Sequence, residues 1–212
     1  LKLKNELGFD PPMKQGYDVV ESIQAMHRGA AKVFCALGGN FMAAASDTHY
    51  TRQAIEQCNL TISISTKLNR THLHPGRVGI ILPTLGRSEV DQTGDSEQIV
   101  TVENSMGKVQ PSKGTLTPAS DHLMSEPAII ANLGQALFGS DDVLPWSNYE
   151  RDYSVIRNDL AKVVDGFSDY NDRVSRGSEF YLPNNARSGD FSKLPEGKAV
   201  FSICPMPEHD LD

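Results

Sequence analysis

Three short polar clusters close apolar runs, and each carries side chains that could hold or transform a small molecule. The run Lys32 to Leu37 ends in Gly38-Gly39-Asn40. Two glycines after a strand let backbone N–H groups come close to a phosphate or a sugar. Asn40 accepts left-handed backbone and can read a base edge or a hydroxyl. The motif is neither GxGxxG nor the phosphate loop GxxxxGK[ST], so the same residues also suit a plain strand-to-helix turn. Leu60 to Ile64 ends in Ser65-Thr66-Lys67, two hydroxyls and an amine that suit a nucleotide or an ordinary polar loop. Beyond Val78 to Leu82 lie Glu89 and Asp91, carboxylates two residues apart. Such a pair can do acid–base work, although no partner base accompanies it and a solvated surface explains it too. His72 and His74 are separated by one residue, a poor spacing for a zinc pair on a helix.

The segments that must position these clusters alternate in period. Asp18 is placed to cap a helix with Val19, Val20, Ile23 and Met26 on one face, ending at Gly29. Lys32 to Leu37 reads as a strand buried on both faces. Ser46 or Asp47 opens a helix from His49 to Cys58, and Leu60 to Ile64 is a second strand rich in β-branched residues. Val78 to Leu82 is a third, stopped by Pro83. Strands alternating with helices predict an α/β fold, a three-layer domain with a parallel sheet and helices on both faces. Ligands of such sheets bind at the carboxyl ends of the strands, here Gly38-Gly39-Asn40, Ser65-Thr66-Lys67 and Pro83-Thr84. Residues 85–120 break the pattern and predict a small β-rich excursion, with alternation at Gln98 to Glu103 and again near Lys108 to Gln110. Helical spacing returns at Leu123 to Phe138 and at Tyr149 to Val164. The expected organisation is therefore an α/β domain from 10–84 and 121–165, the excursion 85–120, and an irregular segment 166–212. Residues 1–16, with Gly8, Pro11, Pro12 and Gly16, read as irregular.

The chain has 212 residues, 39% of them hydrophobic, which suffices for a packed core. A formal charge of −7 disfavours a nucleic-acid surface, because phosphate binding needs a basic stripe. Cys35, Cys58 and Cys204 show no C-x-x-C spacing; the first two lie in apolar runs and are expected as buried thiols. No run of about 18 apolar residues predicts a membrane span, and the first residues lack the features of a signal peptide. Cytoplasm is the expected location. The first residue is Leu, and processing or truncation at the front is expected.

Taken in order, VFCALGGNF, SISTKLNRTH, GIILPTLGRSEVDQTG and VTVENSMGKVQ resemble the formate dehydrogenase-like group of the molybdopterin oxidoreductases. SEPAII at 125–130 looks like that group's next helix start, and LPEGKAVF at 194–201 like the segment before its final barrel domain. The resemblance spans residues 10–205. It implies an enzyme binding a bis(molybdopterin guanine dinucleotide) centre with molybdenum or tungsten. Gly38, Gly39 and Asn40 would then face one guanine dinucleotide arm, Ser65 and Thr66 would sit near its guanosine, and Glu126 would match an acidic position that contacts the nucleotide. Many members carry Asp where this chain has Thr66, and Thr66 cannot accept two guanine N–H bonds. The group's iron–sulfur cysteines and metal ligand lie upstream of the matching region, and its closing domain lies downstream.

The resemblance therefore implies an internal fragment, inactive alone, with no catalytic residue and no metal or cluster ligand of its own. The parent would take a small-molecule substrate, formate by the name of the group, and would work with a redox partner and the remaining domains of the same polypeptide. A different class of function stays open on the residues alone: a non-catalytic α/β module that binds a nucleotide or a partner.

Overall fold

The computed structural model describes residues 2–94, 96–139 and 144–205; the last residues of the segment 166–212 lie outside them. Three strands, β1 (Val33–Leu37), β2 (Leu60–Ser65) and β3 (Val78–Pro83), form a parallel sheet in the order β1-β2-β3. Helices α2 (Val19–His27), α3 (Phe41–Ala44) and α4 (Thr48–Glu56) fill the connections, after a short leading helix α1 (Lys2–Leu7). The mixed α/β architecture predicted from the alternating pattern is present, and a small antiparallel sheet accompanies it.

Local chemistry explains the helix starts. Asp18 caps α2 by accepting from the Glu21 backbone N–H at 2.8 Å, while Glu21 returns the bond to the Asp18 N–H at 3.2 Å, a capping box. Asp47 caps α4 through the Tyr50 N–H. Beneath the sheet, Ile23 and Met26 of α2 pack on Ala54 of α4 and on Cys58, with Phe34 of β1 against them. Burial raises the Cys58 thiol above its ordinary range. Cys35 corrects the expectation of two buried thiols: it is exposed, because it points to the opposite face of β1. The expectation that β1 is buried on both faces is corrected likewise, since Val33 and Leu37 stand exposed beside Cys35.

The excursion forms a ribbon of β4 (Val100–Glu103) and β5 (Lys108–Ser112), turned at Gly107 in left-handed backbone. Its third strand, β6 (Phe180–Tyr181), comes from the segment after residue 166. That segment, read as irregular, also supplies the helix α8 (Tyr170–Ser175). Val109, Tyr170, Val174 and Phe180 make a second core. Thr115 to Met124 return to the parallel sheet, where Met124 bridges Thr84 in parallel alignment beside β3. From there α5 (Glu126–Phe138) departs, followed by α6 (Trp146–Arg151) and α7 (Tyr153–Val163). The single helix expected over Tyr149 to Val164 is two, because Asp152 takes extended backbone and caps α7 through the Ser154 N–H at 2.8 Å. Among the described residues no helix is long and apolar enough to cross a membrane.

Candidate functional site

Gly38-Gly39-Asn40, Ser65-Thr66-Lys67 and Pro83-Thr84 end β1, β2 and β3 at the carboxyl end of the parallel sheet. Gly38 and Gly39 have φ of 67° and 73°, a succession that residues with a Cβ rarely adopt, so glycine is required at this turn. The Gly38 N–H donates to the Ile64 carbonyl at 2.8 Å, continuing the β1–β2 ladder into the turn. The loop after β2 grips that turn. Asn69 Nδ2 donates to the Gly39 carbonyl at 2.9 Å, Thr71 Oγ1 donates to Asn40 Oδ1 at 3.2 Å, and the Met42 N–H donates to Thr71 Oγ1 at 3.1 Å. Asn40 thus has its carbonyl oxygen engaged inside the protein. Ser65 is buried, and its hydroxyl donates to the Lys67 carbonyl at 2.8 Å.

Glu126 reaches the same place from another element. Thr84 ties the end of β3 to residue 124, its hydroxyl donating to the Met124 carbonyl at 2.8 Å while the Leu85 N–H donates to the same oxygen at 3.0 Å. Ser125 caps α5 and Glu126 is its first residue, with Pro127 behind it at a position where a missing N–H costs nothing. A Cβ added to Gly38 would meet Glu126 Oε1 at 3.7 Å. No described residue bonds the Glu126 carboxylate, which leaves two acceptor oxygens beside the glycine turn. A cleft of about 420 Å³ opens here, between the strand ends and the ribbon. Thr66 and Glu126 line it with Arg87, Lys113, Gln98 and Thr101. The structure therefore brings Gly38, Thr66 and Glu126 together, and turns the Ser65 hydroxyl and the Asn40 carbonyl oxygen inward.

Glu89 and Asp91, the paired carboxylates, are both committed to structure. Glu89 accepts the Gly86 N–H at 2.5 Å and the Ala119 N–H at 2.6 Å, and these bonds hold its carboxyl below the usual carboxylate range, Gly86 contributing most. Asp91 accepts from the buried Tyr153 hydroxyl at 2.7 Å and from the Thr93 N–H at 3.0 Å. Tyr153 in turn shares a hydrogen bond with Ser125, the cap of α5. Burial first, with Asp91 adding to it, raises the Tyr153 phenol far above its ordinary value, so it stays neutral and donates. Gln98 completes the joint by donating to the Thr93 and Arg151 carbonyls, each at 2.9 Å, and accepting the Tyr153 N–H at 3.1 Å. This network escapes a reading of spacing alone, because its members lie up to 62 residues apart; Ser125 just before Glu-Pro is the one local signal, as a cap.

The histidines are structural as well. His72 Nδ1 accepts the Asn69 N–H at 2.8 Å, and His74 Nδ1 lies 3.0 Å from Glu56 Oε1. Among the described residues no group of three or more His, Cys, Asp or Glu side chains is arranged to hold a metal ion.

No family model matches the chain. Among curated proteins it is similar to the uncharacterized oxidoreductase Rv2900c of Mycobacterium tuberculosis, with 43% identity over 204 residues, covering 96% of this chain and 26% of that protein. The uncharacterized oxidoreductase Mb2924c of Mycobacterium bovis matches to the same extent, 43% over 204 residues with 96% and 26% covered. Protein YdeP of Escherichia coli K12 is 39% identical over 200 residues, covering 94% of this chain and 26% of its own length. The chain thus spans about a quarter of the length of the curated relatives it matches.

Proposed function

We propose that this chain is the part of a molybdopterin-dependent, formate dehydrogenase-like oxidoreductase that forms one wall of its bis(molybdopterin guanine dinucleotide) site. The observation that carries the reading is the approach of the free Glu126 carboxylate to the Gly38-Gly39 turn, with Thr66 on the same cleft. Names of relatives as oxidoreductases, and their greater length, support an oxidoreductase parent. Residues and group fit in donor chemistry. A guanine base presents adjacent N–H donors, and Glu126 offers two acceptor oxygens that a lone Thr66 hydroxyl lacks. The glycine turn leaves room for a phosphate or sugar against backbone, since nothing stands within 4 Å of a Cβ built on Gly39. Arg87 lines the ribbon side of the cleft, where Lys113 is paired with Glu97.

When bound, the cofactor would supply the redox-active molybdenum or tungsten. The work of this chain is then to bind and orient the nucleotide end, and its isolated form has no redox activity. Formate oxidation by the purified 212-residue chain, with nothing added, would sink that. Binding of the guanine dinucleotide arm by one wall of a shared site is weak. Titration of that arm, followed by calorimetry, should show Glu126→Ala weakening binding about tenfold, or about 1.4 kcal/mol. Asn40→Ala, whose side chain already has an internal partner, should weaken it less. Thr66→Asp supplies the acid that many members of the group carry and should tighten guanine over adenine nucleotides. Equal affinities for wild type, Glu126→Ala and Asn40→Ala would remove both residues from the site.

A further inference from the structure

The turn that offers its backbone to the cleft is intrinsically the freest piece of chain near it. Glycine enters left-handed and right-handed backbone with equal ease, so Gly38-Gly39 by itself would sample many shapes. The structure holds it in one, and the constraint comes from a loop 30 residues further on. Asn69 opens a 3-10 turn, Arg70–Leu73, there. Its side-chain amide is used at both ends. Oδ1 accepts the Thr71 N–H at 3.0 Å, and Nδ2 donates to the Gly39 carbonyl at 2.9 Å. Thr71, only 6% exposed, is used in the same double way: its hydroxyl donates to Asn40 Oδ1 and accepts the Met42 N–H. His72 holds Asn69 itself, accepting its backbone N–H at Nδ1 at 2.8 Å, so the neutral ring carries its proton on Nε2.

These bonds decide which groups of the turn are left for a ligand. The Gly38 N–H is taken by the Ile64 carbonyl, and the Gly39 carbonyl is taken by Asn69. The Gly39 and Asn40 N–H groups donate to no described residue. A turn fixed in this way, with its carbonyl engaged and its amides unclaimed, is ready for an acceptor. A turn free to rotate would have to be ordered at the moment of binding, which lowers affinity. The fold has other supports. Asp18 and Asp47 cap α2 and α4, and Ile23, Met26, Ala54 and Cys58 fill the first core; Asn69 belongs to neither.

We propose that Asn69 and Thr71 are positioning residues that clamp the Gly38-Gly39-Asn40 turn in the conformation that takes the nucleotide end of the cofactor, and so set its affinity from behind the turn. The proposal rests on the reading of the strand ends as a guanine dinucleotide site. Clamp and cleft belong to one segment of chain, since Thr66, at the start of the same loop, lines the cleft.

Asn69→Asp separates the clamp from the cap. It keeps an oxygen for the Thr71 N–H, but it replaces the donor to Gly39 with a second oxygen facing the carbonyl. Full-length protein, prepared free of cofactor, is titrated with guanosine diphosphate by calorimetry, and each variant is melted without nucleotide. Asn69→Asp should weaken binding about tenfold, with a change in Tm of less than about 2 °C. Thr71→Val removes both bonds of the hydroxyl and should weaken binding at least as much. Thr71→Ser keeps the hydroxyl and should bind like wild type. A residue that serves only the fold gives the opposite split, a lower Tm with unchanged affinity, and that result for Asn69→Asp would overturn the proposal. Amide exchange at Met42, followed without nucleotide, should quicken in Asn69→Asp and Thr71→Val; unchanged exchange in both would remove the clamp. Glu126→Ala keeps the two readings apart. Binding that Glu126→Ala weakens and Asn69→Asp does not fails the clamp alone. Wild type that takes up no guanosine diphosphate fails the cofactor reading, and the role of the clamp falls with it.

Discussion

Glu89 gives both carboxylate oxygens to backbone N–H groups, and that arrangement has a pH signature. Its folded pKa lies below its unfolded one, so its contribution to stability is complete above the ordinary carboxylate range. The contribution fades as pH falls through the depressed folded value. Thermal melts should therefore show Glu89→Gln less stable than wild type at about pH 7, with the gap closing toward about pH 3. A gap independent of pH would mean that packing, not charge, is at stake. Tyr153 makes the complementary case. Its buried hydroxyl joins Asp91 to Ser125, and Tyr153→Phe leaves Asp91 short of a donor in a part-buried place. Loss of such a bond costs about 1–3 kcal/mol, measurable by urea unfolding. An effect within about 0.5 kcal/mol would show that water replaces the phenol readily. Neither role is visible in residue type and spacing, which present Glu89 and Asp91 as candidates for acid–base chemistry. The partners that occupy them, Gly86, Ala119 and Tyr153, are set by the tertiary path of the chain.

At the scale of elements, what was legible came from chemistry that acts over three or four residues. Asp18 and Asp47 start their helices by capping, and the runs at Val33, Leu60 and Val78 are the strands of the sheet. The ribbon followed from alternation at Gln98 to Glu103, where the strand runs Val100–Glu103. What was hidden depended on a neighbour far away. The apolar periodicity from Tyr149 to Val164 runs straight through Asp152, whose side chain begins a new helix in place of continuing the old one. An apolar run such as Val33 to Leu37 says that a strand wants cover, not which face receives it. Likewise, Gly38 and Thr66 could be picked out from strand ends, yet the nearness of Glu126 rests on the return of the chain through Met124. The pairing of α5 with α6 shows the same dependence. A Cβ on Gly134 would lie 2.5 Å from Trp146 Cε3, so the helices meet where glycine allows the indole to sit. Gly134→Ala gains about 1 kcal/mol of helix propensity and incurs about 1–3 kcal/mol of overpacking. The expected result is a net loss of stability on chemical denaturation; a more stable variant would show that Trp146 moves aside freely.

At the scale of the molecule, there are two cores of separate composition. One lies under the parallel sheet around Met26 and Ala54, the other around Val109 and Tyr170. The joint includes Gln98 with Asp91, Tyr153 and Ser125; within the second core's side, the Arg157 guanidinium donates to the Ile99 carbonyl and to Asn171, each at 2.6 Å. Gln98→Ala should loosen the ribbon relative to the sheet before it unfolds either, read as faster amide exchange at Val109 than at Ile64. Uniform acceleration at both amides would show a single cooperative unit instead.

Ser125 gives this joint a thermodynamic consequence. The residue that caps α5, and so presents Glu126, is also the one bonded to Tyr153. Whatever grips the Glu126 carboxylate biases the helix start that the ribbon's latch holds, and linkage makes the influence mutual. Occupancy at the strand ends should slow exchange in the ribbon, and Tyr153→Phe should lower affinity at a carboxylate it never touches.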